Sequence, residues 1–179
     1  MTRETAVLIA VPIAEDLVGA WRAEHDESAG VGVPAHITLL YPFVPPEQLD
    51  AGVVDELGEL FSEVPTFAFT LSRTARFGEP GAAEQLLYLE PEPAAPFVSL
   101  TESLAARFPG FPPYAGAHDA VVPHLTVAQS PDDGLISTIE AALAPGLPIE
   151  TEAREATLME QGRDGMWRVR ERFVFASRG

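Results

Sequence analysis

The chain has 179 residues, 46% of them hydrophobic, which is enough to bury the core of one sizeable domain. Its 27 acidic and 11 basic side chains give a net charge of −16, and every basic one is an arginine. A surface this negative repels polyanions, which argues against binding of long RNA or DNA but permits a small nucleotide in a local pocket. Cysteine is absent, which excludes disulfides, cysteine-ligated zinc and a thiol nucleophile.

The N-terminal residues 1–5 lead straight into a short apolar run that ends at Pro12. It lacks the hydrophobic region and small-residue cleavage site of a signal peptide. No stretch of the sequence approaches the ~18 continuous apolar residues of a membrane span. From these features we expect a cytoplasmic protein. We also expect it to be a monomer.

The first half of the chain alternates strand and helix patterns. Residues 6–11 form an uninterrupted apolar run, typical of a strand buried on both faces. A helix is predicted next, with Leu17, Val18, Trp21 and His25 on its buried side. A strand, a helix opened by two prolines and an alternating strand complete this half, over about residues 35–43, 45–64 and 67–77.

The second half repeats this order of elements. Ser130 is predicted to cap its second helix, with Pro131 at the first helical position. The predicted elements are a strand, a helix, a strand, a helix and two closing strands, over about residues 86–89, 97–108, 122–129, 131–143, 149–159 and 166–176. The chain therefore has the pattern of an internal duplication.

The second strand of each half carries nearly the same motif. One reads His36-Ile37-Thr38-Leu39 and the other reads His124-Leu125-Thr126-Val127, each with proline shortly before it. Because side chains alternate along a strand, each histidine shares a face with its threonine, roughly 6.6 Å away. If a pseudo-two-fold axis relates the halves, the two motif strands meet across one cleft.

Two imidazoles and two hydroxyls in matched pairs favour a site that moves protons around a phosphodiester. Histidine can act as acid or base at neutral pH, and threonine hydroxyls can hold phosphate oxygens. The alternative is structural: His36 and His124 would be half-buried and bonded to backbone carbonyls, while Thr38 and Thr126 would simply be good strand formers. The occurrence of the pair at matched positions favours catalysis.

Several further side chains are candidates for weak substrate contacts. Phe77 and Tyr114, which are flanked by loop residues, offer stacking surfaces for a nucleotide base, as does Tyr41. His118 precedes the second motif, and Arg73 could neutralise a second phosphate. Core packing, an exposed loop position or an ion pair would explain the same residues without a function. We predict no metal site, because neither motif strand carries an acidic residue at alternate positions.

The paired His-x-Thr motifs resemble those of the 2H phosphoesterase superfamily, in particular its 2′-5′ RNA ligase-like and cyclic phosphodiesterase branch. The resemblance implies a bilobal α+β fold, in which two antiparallel sheets surround a central cleft and helices lie outside. Residues 1–179 would form a single domain with lobe-forming halves of about 1–80 and 81–179. His36 and His124 would be general acid and base, Thr38 and Thr126 would bind phosphate oxygens, and no metal or cofactor would be required.

The activity implied by this resemblance is hydrolysis of a 2′,3′-cyclic nucleotide phosphate or a related small RNA-type phosphodiester. The substrate would be a small nucleotide or an RNA terminus. Two alternatives stay open: formation of a 2′-5′ linkage by the reverse reaction, and nucleotide binding without catalysis. The motifs fit either direction of the reaction and either assignment of acid and base.

Overall fold

A computed structural model of the chain describes residues 3–79, 81–116 and 121–177, leaving aside the side chains of Tyr114 and Ala115. Its strands form two four-stranded antiparallel sheets in an α+β fold, as the family resemblance implies. The first sheet has, in spatial order, β2 (His36–Leu40), β1 (Thr5–Ala10), β7 (Glu155–Gln161) and β8 (Trp167–Val174). The second has, in spatial order, β5 (Leu125–Ser130), β4 (Gln85–Glu92), β3 (Phe67–Phe77) and β6 (Ile149–Ala153).

Five α-helices lie within the described ranges. They are α1 (Glu15–His25), α2 (Glu27–Gly30), α3 (Ala51–Ser62), α4 (Ala95–Arg107) and α5 (Asp133–Leu143). None of them is long and apolar enough to cross a membrane.

Each motif strand forms the edge of its sheet, beside the apolar strand that opens the same half. In the first sheet Thr38 lies opposite Leu8, and in the second Thr126 lies opposite Tyr88. The units β1-α1-β2 and β4-α4-β5 are therefore built alike, which confirms the predicted duplication. The connecting helices cross over: α1 packs against β5, and α4 packs against β2. The helix of each unit thus supports the motif strand of the other.

The sheets do not follow the division of the sequence into halves at about residue 80. β3, from the first half, pairs with β4 and β6 in the second sheet. The later strands β7 and β8 complete the first sheet beside β1. Each sheet is therefore assembled from both halves of the chain.

One continuous cluster of buried side chains joins both sheets to the helices. Within it, Phe61 of α3 is fully buried and stacks on Phe173 and Phe175, with ring centroids 5.6 and 5.8 Å away. A smaller cluster, centred on Leu8 and Met159, covers the other face of the first sheet. The main core covers one face of the first sheet, and the smaller cluster covers part of the other face. β1 is therefore buried on both sides, as its apolar sequence predicts.

Three local predictions were wrong. The N-cap of α5 is Asp132, whose carboxylate accepts from two helix amides, whereas Ser130 accepts only from the Asp132 amide. The prolines near residue 46 open a short 3-10 helix, and α3 begins later with Asp50 as its N-cap. The strand predicted over 149–159 is two strands, because the chain passes from the second sheet to the first at Arg154.

Candidate active site

The two motif strands approach each other where the edges of the sheets meet. Residues of β2 and β5 lie within 8 Å of one another, Cα to Cα. Their exposure alternates as expected of strands that line a cleft: Ile37 and Leu125 are fully buried, while the motif histidines and threonines beside them are partly exposed. The fold therefore brings together His36, Thr38, His124 and Thr126 from distant parts of the chain.

Both imidazoles are anchored in the same way. His36 Nδ1 lies 2.8 Å from the carbonyl oxygen of Pro34, and His124 Nδ1 lies 2.7 Å from that of Val122. A carbonyl oxygen can only accept, so Nδ1 must be the protonated nitrogen that donates in each case. In the neutral ring this leaves Nε2 as the basic nitrogen. The carbonyl bond expected of a structural histidine is thus present, and it also selects the tautomer that proton transfer through Nε2 requires.

The pKa of His36 is lowered to about 4, mainly by the cost of desolvating its charged form. The bond to Pro34 opposes this shift, the positive charge of Arg22 adds to it, and Asp26 partly offsets Arg22. His124 lowers the pKa further, so the two imidazoles are within electrostatic reach of each other. His36 is therefore neutral at physiological pH and able to accept a proton.

We expect the imidazole of His36 to titrate near pH 4. Because an unfolded chain binds this proton near pH 6.5, it holds more protons than the folded chain between these two values. The stabilisation is therefore complete above about pH 6.5 and is lost as the pH falls towards 4. An NMR titration of the histidine ring protons, with His36→Gln to assign the signal, measures the pKa of His36 directly. A midpoint at pH 6 or above would contradict the burial of this ring.

Two aromatic rings border His124. Phe77 and Tyr88 approach it edge-on, with centroids 5.1 and 5.5 Å away, and stack on each other at 4.4 Å. Phe77, a predicted stacking surface, is 37% exposed, whereas Tyr88 is 6% exposed. Sequence reasoning missed Tyr88, because its place beside the motif follows from its register opposite Thr126. Phe77 and Tyr88 thus form one wall next to the second histidine.

Arg73 and Phe77 both lie on β3 and are separated by an even number of positions, so their side chains are on the same face of the strand. Its side chain is 69% exposed and forms an ion pair with Glu90, with Nε 2.6 Å from the carboxylate. Burial and Glu90 raise the pKa of Tyr88, while Arg73 lowers it, which places this ion pair beside the aromatic wall. The predicted cation is present near the second motif, already paired with a carboxylate.

Tyr41 follows β2 and is engaged within the protein. Its hydroxyl donates to Glu4 at 2.6 Å, and its ring packs edge-on against Trp167 at 6.2 Å. Burial and the neighbouring Glu4 raise the pKa of Tyr41 to about 12. Its ring, rather than its hydroxyl, is the part that a substrate could contact.

Two predicted contacts cannot be placed. His118 lies outside the described residues, and so does the side chain of Tyr114, whose backbone belongs to a short 3-10 helix over Pro113–Gly116. Throughout the described ranges, no group of three or more histidine and acidic side chains is arranged to hold a metal ion.

Comparison with known proteins adds to this geometry. The family described as the 2′-5′ RNA ligase superfamily matches residues 10–165, which include both motifs. A Bacillus licheniformis protein named "Putative phosphoesterase" is 27% identical over 169 residues, covering 91% of this chain and 92% of the relative.

Solved structures share the fold. A Thermus thermophilus protein has a TM-score of 0.63 at 22% identity, covering 98% of this chain and all of its own. Escherichia coli LigT in complex with NADP+ has a TM-score of 0.57 at 17% identity, covering 98% of both chains. The matched region, the paired motifs and the two-sheet architecture agree, and the chain therefore belongs to the 2′-5′ RNA ligase superfamily of 2H phosphoesterases.

Proposed function

We propose that the protein is a metal-independent phosphodiesterase that opens a 2′,3′-cyclic nucleotide phosphate or a related small RNA-type phosphodiester. One observation carries this proposal: His36 at the start of β2 and His124 immediately before β5 each bond a backbone carbonyl through Nδ1, which leaves Nε2 of each neutral ring as the basic nitrogen. A phosphoryl transfer with one base and one acid needs two such groups, one on each side of the phosphorus.

The reaction requires two proton transfers. The base takes a proton from water as the water oxygen bonds to phosphorus, and the bond from phosphorus to one ribose oxygen breaks. The acid gives that oxygen its proton, and the product carries a 2′- or 3′-phosphate. His36 is kept neutral by its lowered pKa of about 4, so we assign it as the base. His124 is assigned as the acid, and in this role its ring carries a proton on Nε2 as well as on Nδ1 before it gives the Nε2 proton to the ribose oxygen.

The threonines stabilise the charge that develops on the phosphate. In this proposal the hydroxyls of Thr38 and Thr126 donate to the two non-bridging oxygens, one from each strand. Each hydroxyl lies on the same strand face as its histidine. The phosphate would therefore be held between the sheets with an imidazole at each side.

The wall beside His124 supports a nucleotide as the substrate. Phe77 exposes a ring on which a base can stack, and Arg73 lies on the same face. LigT has been solved with 3′-AMP, with ATP and with phosphate. Together with the net charge of −16, this favours a mononucleotide or an RNA terminus over a long strand.

The proposal is tested by incubating the purified protein, in the presence of EDTA, with the four 2′,3′-cyclic nucleotides. A 3′,5′-cyclic nucleotide serves as the control, and a 2′-5′-linked dinucleotide is included to detect the ligase-type reaction. We expect one regioisomer of the nucleoside monophosphate from the 2′,3′-cyclic substrates, at a rate that EDTA does not change.

Two outcomes would contradict this. Loss of turnover in EDTA would point to a metal-dependent reaction. Binding of a nucleoside monophosphate by calorimetry, without turnover of any ester in the panel, would favour a non-catalytic binding module.

A further inference from the structure

Arg22 is a charged residue placed almost entirely inside the protein, with 2% of its side chain exposed. A buried guanidinium is tolerated only when its donors are satisfied. Here all three nitrogens are used: Nε bonds Asp26 at 3.0 Å, Nη1 bonds Glu15 at 3.2 Å, and Nη2 bonds Ser28 at 3.2 Å. Nη2 also donates to the carbonyl oxygen of Val33 at 3.1 Å.

These contacts surround the peptide that orients His36. Arg22 holds the carbonyl of Val33, and Glu15 Oε1, the oxygen that Arg22 Nη1 binds, accepts from the backbone N–H of Ala35 at 2.5 Å. Pro34 lies between these two fixed points. Its carbonyl is the one that accepts from His36 Nδ1.

The anchor of the other histidine is in a different setting. Val122, whose carbonyl accepts from His124 Nδ1, is 39% exposed. Pro34, the anchor of His36, is half-buried and lies between the buried residues Val33 and Ala35, which Arg22 and Glu15 hold.

We propose that Arg22 is a positioning residue for the reaction: its guanidinium, with Glu15, clamps residues 33–35 so that Pro34 keeps His36 protonated at Nδ1 and basic at Nε2. Arg22 acts through the backbone of residues 33–35 and does not itself contact the substrate. The inference rests on the proposed function for its effect on rate, but its effect on the His36 ring is independent of any activity.

Arginine is needed here because of its shape. Its planar fork places three nitrogens in fixed directions and so reaches Asp26, Glu15 and Val33 at once. Lysine carries one nitrogen on a flexible stem and cannot hold these separate partners together. We therefore expect Arg22→Lys to restore the function of Arg22→Met only in part.

The test compares Arg22→Met with Arg107→Met. Arg107 is a matched control, because it also lies on a helix and pairs with two glutamates, Glu56 and Glu59. For each protein, the 15N shifts of the His36 ring nitrogens report the tautomer, and steady-state kinetics give kcat and KM. For Arg22→Met we expect a mixture of tautomers and a kcat lowered about 10- to 100-fold with KM little changed. Arg107→Met is expected to resemble the wild type in both measurements.

Glu15→Ala provides a second variant in case the buried substitution prevents folding. The Glu15 side chain is 38% exposed, and its loss frees the Ala35 amide while Arg22 keeps Asp26 and Val33. A tautomer mixture in this variant supports the clamp.

A single Nδ1-protonated His36 in every variant that folds would overturn the proposal. If the wild type hydrolyses no phosphodiester, the proposed function fails, yet the NMR measurement still decides whether Arg22 positions His36.

Discussion

Replacing His36 or His124 by alanine is expected to lower kcat about 10²- to 10⁴-fold on the 2′,3′-cyclic nucleotide that the wild type hydrolyses fastest. Each substitution removes one of the two groups that exchange a proton with substrate. KM should change much less, because the threonine hydroxyls and the aromatic wall that bind the substrate stay in place. His36 and His124 are half-buried residues and each substitution only shortens the side chain, so the variants are expected to fold.

The double variant sharpens this test. If the imidazoles act in one concerted step, losing both should cost about as much as losing one, because the remaining group has no partner. His25→Ala is the control: its ring stacks on Trp21 along α1, with centroids 6.3 Å apart, and belongs to no motif. Undiminished turnover in either motif variant would end the two-histidine mechanism.

Substituting valine for Thr38 or Thr126 is expected to lower kcat about 10²- to 10³-fold, the cost of losing one donor to a developing oxyanion. Valine keeps the β-branched shape that suits a strand, so the fold should be retained. Serine at either position keeps the hydroxyl and should preserve most of the rate. Measurement of kcat for the four single variants separates the hydroxyl from the shape of the side chain.

Thr70→Val is the matched control for these variants. Thr70 is a half-buried strand residue on β3, opposite Glu92 and Glu150, and lies outside both motifs. If the motif valine variants keep a rate close to that of this control, the threonines are strand formers only, which is the structural alternative that the sequence left open.

The period of the hydrophobic pattern was enough to predict most elements. The strand predicted from the alternation over Phe67–Ser72, and continued towards Phe77, matches β3 end to end. Both motifs were predicted on strands: His36 opens β2, and His124 comes immediately before β5. Pattern alone does not identify the partner of a strand. The sequence over 149–159 gave no sign that the chain changes sheets at Arg154. Nor did the pattern of β3 indicate that it joins the second sheet.

The neighbours of the histidines were harder to predict than the histidines themselves. In the sequence, Tyr88 does not differ from other residues of an apolar strand. Only its register opposite Thr126 shows that it lies beside the motif. On α1 the predicted buried side is confirmed for Val18, which is fully buried, and for Leu17 and Trp21, which pack against the core. The buried residue that we did not predict is Arg22. Arg22 and Asp26 have the spacing of an ordinary surface ion pair, and nothing local indicates that a loop will close over them.

The late position of β7 and β8 in the chain has a consequence for how the protein is made. These two strands are half of the sheet that carries His36, and the ribosome makes them after every other strand of either sheet. Until they emerge, β1 lacks its neighbour β7, so the sheet that carries His36 and Thr38 cannot be complete while they are still being synthesised. The first and the last strands of the chain therefore complete the first sheet together, and the cleft can form fully only once β8 has left the ribosome.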